Sequence, residues 1–143
     1  MIDPALRMLT KLARNNALAN HRLAQAVIGL DQSEFTARRV SFFPSLRATL
    51  NHILVIDWFY IDALEGGTLG PWAWENEEPF DTARALYAAQ RQSDEKLVAF
   101  CDALEIADLA RPIAIHRQSR IQTERCDDVL NHLFAHQTHH RGQ

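Results

Sequence analysis

Apolar side chains recur along this chain at spacings of three and four, the period of a helix that turns one face to a core. The first such stripe runs from about Pro4 to Leu30 through Leu9, Leu12, Asn16, Ala19, Leu23, Val27 and Leu30. Pro4 suits a first helical turn, where the missing N–H leaves nothing unsatisfied. A connection from Asp31 to Phe43 follows. A second helix is expected from Pro44-Ser45 to about Leu64, with Ser41 or Phe43 just outside its start and Gly66-Gly67 ending it. Leu46, Leu50, Ile53, Tyr60 and Leu64 make one stripe, and Leu54, Trp58 and Ile61 widen it. A helix apolar around most of its girth belongs in the centre of a fold.

Gly70-Pro71 and Glu78-Pro79 mark a long loop that carries Trp72 and Trp74. The third helix is predicted from Asp81, as its N-cap, to Leu104, with the stripe Ala83, Leu86, Gln90, Ser93, Leu97, Phe100 and Leu104. Two β-branched runs, Pro112 to Ile115 and Ile121 to Thr123, flank a polar turn and predict a hairpin. The fourth helix is expected to begin at Thr123 or Glu124 and to continue to the last residue. Simple up-and-down bundles use short loops, whereas all three connections here are long, so at least one is expected to cross the length of the bundle. The predicted architecture is all-α: one domain over residues 1–143, a four-helix bundle with long crossover connections and a short hairpin before the last helix.

Composition narrows the function classes. A chain of 143 residues can bury a core without disulfide staples. Its 47% hydrophobic and 23% charged residues are ordinary globular values, and 5 glycines and 5 prolines are too few for an all-β chain. Fifteen basic side chains against 18 acidic ones give −3, which argues against nucleic-acid or membrane-surface binding. The start lacks a signal-peptide layout. The longest apolar run, Ile53 to Ile61, is broken by Asp57 and is far too short for a membrane span. Cys101 and Cys126 lack close spacing and read as buried free thiols in a reducing compartment. A cytoplasmic domain is expected.

One count is unusual: 7 histidines, 4 of them between His132 and His140. At about 100° per residue, Cys126, Val129, Leu133, His136 and His140 keep one phase, so two imidazoles stand where leucines are expected. Histidines at i and i+4 point the same way and can share a metal ion, as on the zincin helix. The glutamate of that motif is missing, so a protease is excluded. Chance spacing and simple hydrogen bonding of a half-buried imidazole are the competing explanations, and His132 with His136 is a rival pair; the apolar phase favours His136 with His140. A stable site needs a third ligand from elsewhere. His52, between apolar neighbours on the second helix, is the natural candidate, ahead of His21 beside Arg22 and His116 beside Arg117 and Arg120. Three imidazoles leave coordination positions open and suit zinc, nickel, iron or copper.

The segments Leu50-Asn51-His52-Ile53-Leu54-Val55-Ile56-Asp57 and His132-Leu133-Phe134-Ala135-His136-Gln137-Thr138-His139-His140-Arg141-Gly142-Gln143 resemble the two hallmark segments of the DinB/YfiT-like metalloenzymes. That family is named from a DNA-damage-inducible gene, and the resemblance runs along essentially the whole chain. It implies a four-helix bundle, often a homodimer, with a divalent metal on His52, His136 and His140. Zinc or nickel is the first expectation, then iron or manganese. It further implies a metal-dependent enzyme, in the thiol S-transferase class with glutathione, bacillithiol or mycothiol as the small-molecule thiol and an electrophile as its acceptor. A metal-dependent hydrolase and a non-catalytic metal-binding or stress-response dimer are the alternatives. Related chains usually continue the last helix past Arg-Gly-Gln, so the C-terminal end is expected to be cut short or unusually brief.

Further polar residues fall on apolar stripes. Asp57 lies one to two turns beyond His52 and is a candidate to orient a ligand imidazole; an ion pair with Arg22 or Arg141 is the alternative. Asn16, Asn20, Gln90 and Ser93 mark either a polar cavity near the metal or hydrogen-bonded core groups. Trp58, Trp72 and Trp74 are expected to pack or to wall a pocket. Cys126 lies about three turns from the histidine pair, too far to be a nucleophile there.

Overall fold

The computed structural model describes residues 1–143. The chain forms, in order, helix α1 (Pro4–Ile28), a short α2 (Gln32–Thr36), α3 (Leu46–Leu64), a 3-10 turn (Gly70–Trp74), α4 (Ala83–Ala103), a short α5 (Ile106–Leu109), strands β1 (Pro112–His116) and β2 (Ile121–Arg125), and α6 (Cys126–Gly142). The molecule is mostly helical with one small two-stranded sheet. No helix is long and apolar enough to cross a membrane.

Side-chain caps set the helix starts. Asp3 accepts the Ala5 N–H with Pro4 in the first turn, and Ser45, rather than Ser41 or Phe43, accepts the Ala48 N–H at the start of α3. Thr82, not Asp81, caps α4 through the Ala85 N–H. Asp81 is used elsewhere: its carboxylate faces Arg47 at 3.5 Å and its carbonyl accepts from Gln32. The end of α3 follows the sequence, with Gly66 at φ +83°, a conformation that costs glycine little.

Three expectations shift. α1 stops at Ile28, two residues short of Leu30, which is exposed. Its buried line is Leu9, Ala13, Asn16, Asn20, Ala24 and Val27, and the small side chains at Ala13 and Ala24 let α4 lie close. The connection after α1 folds into α2 around the buried Phe35. α6 begins at Cys126 rather than Thr123 or Glu124, because those two residues pair with Ala114 and Ile113 in the hairpin. The ladder takes the backbone groups that another helical turn would need.

The long helices pack as a ring: α1 against α4 and α6, and α3 against the same two. Helices adjacent in sequence, α1 with α3 and α4 with α6, therefore stand across the diagonals. The first and last long connections cross over accordingly. The main core lies where α3, α4, α6 and the hairpin meet, around Phe59, Leu64, Leu97, Ile115, Leu130 and Leu133. A smaller cluster of Val27, Phe35, Leu54 and Leu86 seals the other side. The first half of α3 and the last half of α6 are left to meet near the mouth of the α1–α3 connection, and the histidines are there.

Candidate metal centre

His52 comes from α3, His136 and His140 from α6. Each offers one ring nitrogen to a cluster in which all three nitrogens lie within 4.8 Å of one another. The Nε2 atoms of His52 and His136 face each other at 3.1 Å. His140 packs its ring 4.4 Å from His136 and 4.7 Å from His52, centroid to centroid. The spacing follows from the helix: two side chains four apart project from one face, and α3 crosses opposite them.

The electrostatics suit a cation that brings its own charge. Burial pushes His136 down to about 3, with His140, His52 and its other histidine neighbours adding to the shift. His52 falls to about 4 for the same reasons, burial first and then His140. Both rings are neutral near pH 7 and keep their lone pairs, as metal ligation requires. No carboxylate hydrogen-bonds any of the three rings. His140 donates from Nδ1 to the Gln143 side-chain carbonyl at 2.8 Å, which fixes its tautomer and frees Nε2. His136 Nδ1 is buried without a partner. Two nitrogens bound to one tetrahedral zinc at about 2.0–2.1 Å stand roughly 3.3 Å apart, close to the observed approach of His52 and His136. The donor set fits a divalent transition metal.

Phe43 covers the site, its ring 4.4 Å from that of His52 and 5.6 Å from that of His140. His132 and His139 are exposed and flank the centre. His132 stacks between Tyr60 at 5.0 Å and His136 at 6.3 Å. The remaining two histidines lie elsewhere: exposed His21 bonds Tyr87 at 2.6 Å and His116 ends β1.

Asp57 does something other than orient an imidazole. It is fully buried, and its Oδ2 accepts from Gln90 at 2.8 Å and from Gln137. It forms no ion pair with Arg22 or Arg141. Gln90 also donates to Asp94, which accepts twice from Asn20. Arg141 closes the network from α6, donating to Asn16 at 2.6 Å and to Asn20 and Gln137 at 2.9 Å. Burial pushes Asp57 up to about 7 and Asp94 up to about 6, against the pull of these donors. Asn16, Asn20 and Gln90 are thus hydrogen-bonded core groups. Ser93 is buried with its hydroxyl unpartnered.

Sequence reasoning missed Asp94, Phe43 and Gln143. The first had a signal, since Gln90 and Asp94 stand four apart on a buried face. Phe43 and Gln143 lie at the end of a loop and the end of a helix, where periodicity carries no information. Trp74 packs on Phe59 and Trp58 on Phe80, while Trp72 is exposed. Both cysteines are free and buried, and burial raises each thiol, Cys101 to about 12, so neither is poised to react.

The DinB family model matches residues 1–143. The chain belongs to the DinB family. No curated protein matches it by sequence. Two solved structures share the fold of this DinB-family protein. One is a DinB-like protein from Bacillus cereus, 16% identical over 92% of this chain and 85% of that one, with a TM-score of 0.65. The other is a DinB-like protein from Bacillus subtilis, 18% identical over 94% and 85% of the two chains, with a TM-score of 0.66.

Proposed function

We propose that this DinB-family protein is a divalent-metal-dependent enzyme whose metal is held by His52, His136 and His140, and that it transfers a small thiol to an electrophile. The single observation that carries this reading is the convergence of three imidazoles from two helices, with no carboxylate hydrogen-bonded to any of them. Three ligands leave room for a substrate, the arrangement of catalytic rather than structural sites. A bound divalent ion lowers the pKa of a thiol or a water at its open position, which is the chemistry that thiol transfer and hydrolysis both need.

The chain's own residues do the remaining work. Gln143 fixes the His140 ring, Phe43 limits water at the mouth, and His132 with Tyr60 lines the approach along α6. No second base or nucleophile bonds to the histidines, which favours a thiol that needs only deprotonation over a water that also needs orienting. In this reading the four long helices form the family's four-helix bundle. Exposed Phe42, which packs on Phe43, and exposed Val40 supply apolar surface that pairing of two copies would cover. The two unpaired thiols fit a reducing cytoplasm.

The test is conjugation of glutathione, bacillithiol and mycothiol to a panel of electrophiles by untagged protein. Turnover of one thiol that disappears in His52→Ala is the expected result. Turnover that persists in that variant contradicts metal-based catalysis, and no turnover with any thiol in a metal-loaded protein contradicts the transferase.

A further inference from the structure

Three arginines are half-buried, and two of them are partnered. Arg47 pairs with Glu78 at 3.0 Å and Asp81 at 3.5 Å, and Arg141 holds the core amides. Arg117 is the exception. Its guanidinium lies 5.1 Å over the Phe59 ring, its Nη2 is a long 3.5 Å from the Tyr60 hydroxyl, and its Nε is fully buried without a partner. No carboxylate pairs with it. Its backbone N–H bonds the Arg120 carbonyl at 2.8 Å and closes the β1–β2 turn, so the residue is held in place. Nε is closed off from the cleft, but Nη1 is neither bonded nor buried, so a ligand there can meet the guanidinium.

The acceptor side is nearby but separate. Arg117 and Tyr60 line a cleft of about 320 Å³ between the hairpin and α6, and Glu124, Asp128 and His132 line the same cleft. Glu124 accepts only from its neighbour Gln122, and neither acid forms an ion pair. Charges of opposite sign face one cavity without meeting. Side chains that merely balanced each other would close to a salt bridge; these are held apart by the hairpin and the first turns of α6.

We propose that this cleft binds the zwitterionic end of a small molecule, with a carboxylate on Arg117 and an ammonium between Glu124 and Asp128. The guanidinium fork matches a carboxylate in two hydrogen bonds. Two acids against one arginine disfavour a dianion such as phosphate, and they leave a place for one cation. His132 lines the cleft and stacks on His136, and Asp128 to His136 is eight residues, about 12 Å along the helix. The ligand's other end therefore points to the histidine centre. Only this last step rests on the function proposed above.

Glycylglycine, N-acetylglycine and glycinamide carry both charges, the carboxylate alone and the amine alone. Each is titrated into the full chain while backbone amide signals are followed by NMR. Saturable shifts at Arg117, Glu124, Asp128 and His132 are expected with glycylglycine, at an affinity at least fivefold above either single-charge probe. Arg117→Gln lowers that affinity about tenfold, and Asp128→Asn about threefold. Asp128 is exposed, so its variant folds even if Arg117→Gln does not. Equal affinity for all three probes overturns the proposal, as does undiminished binding by the Asp128→Asn variant. His136→Ala separates the two readings and removes any direct chelation by the dipeptide. Binding kept there while metal is lost supports the cleft. Absence of binding with the metal intact overturns the cleft alone, and binding to a protein that never holds metal overturns only the metal reading.

Discussion

Helix α6 carries two interleaved polar pairs of opposite kind, each spaced by one turn and offset from the other by one residue. His136 and His140 face α3, while Gln137 and Arg141 face α1, α3 and α4 through Asn16, Asn20, Asp57 and Asp94. The network is largely bonded within itself: its carboxylates accept from glutamine and asparagine and its arginine donates to three amide oxygens, while Asn16 Nδ2 and Asp57 Oδ1 are left without partners. The histidine cluster is not. Its nitrogens approach one another at 3.1 Å, and one of them has no partner at all. Buried polar groups that bond one another hold a fold together, whereas imidazoles that converge with few bonds of their own suit a shared metal ion. The pKa shifts have opposite signs for one cause, since burial favours the neutral form in both: it raises the acids and lowers the imidazoles.

The largest effect expected of this contrast is in the network. Arg141→Met leaves three buried amide oxygens without a donor and removes the positive charge that lies near the two buried acids. It should cost about 3–5 kcal/mol in urea unfolding. A loss below about 1 kcal/mol would mean that the network does not hold α6 against α1.

Next is the pH dependence. The native Asp57 carboxyl, raised to about 7, keeps a proton that the unfolded chain gives up near 3.8. The folded state is thus disfavoured progressively as pH climbs from about 4 to 7, and this part is absent below 4. Asp57→Asn removes it, so the stability of wild type relative to the variant should fall across that window; a flat difference would contradict the assignment. The imidazoles carry the other sign. His52 and His136 refuse in the native state a proton that the unfolded chain takes near 6.5, so their contribution is full above 6.5 and lost as pH falls towards 4 and 3. Metal-free His52→Ala should unfold less readily in acid than metal-free wild type.

A smaller effect is expected at the edge of the histidine cluster. Gln143→Ala frees the His140 ring and should weaken metal binding about tenfold, or 1.4 kcal/mol, in a competition titration with a chelating dye, without loss of stability in the metal-free protein. The smallest is on the surface, where Arg14 and Asp102 meet at 2.7 Å with both side chains about half exposed. Asp102→Ala should leave the thermal unfolding midpoint almost unchanged, and the difference should shrink further in high salt.

The four long helices were legible because their stripes repeat over several turns, and the hairpin because its β-branched runs flank a polar turn. Helix starts were less so. Thr82 and Asp81 are both good caps in sequence, and only the pull of Arg47 on Asp81 decides between them. The three histidines could be singled out because α6 places two of them on its apolar phase and His52 stands among apolar neighbours on α3, a choice that the family resemblance then matched. The role of Asp57 could not be read in advance. Whether a buried carboxylate meets an imidazole or a glutamine depends on α4, which periodicity does not position. Gln90 and Gln137 both donate to Asp57 Oδ2, and no imidazole bonds to the carboxylate. Arg117 was equally hidden, since a hairpin turn gives no hint of what its side chain will lack.

The central claim is that His52, His136 and His140 hold one metal ion. Elemental analysis of untagged protein, wild type beside His136→Ala, tests it most directly. The account predicts about one zinc, nickel, iron or manganese per chain in wild type and a loss of most of it in the variant, with the fold retained by circular dichroism. Wild type free of metal after loading and desalting, or a variant that keeps full occupancy, would contradict it.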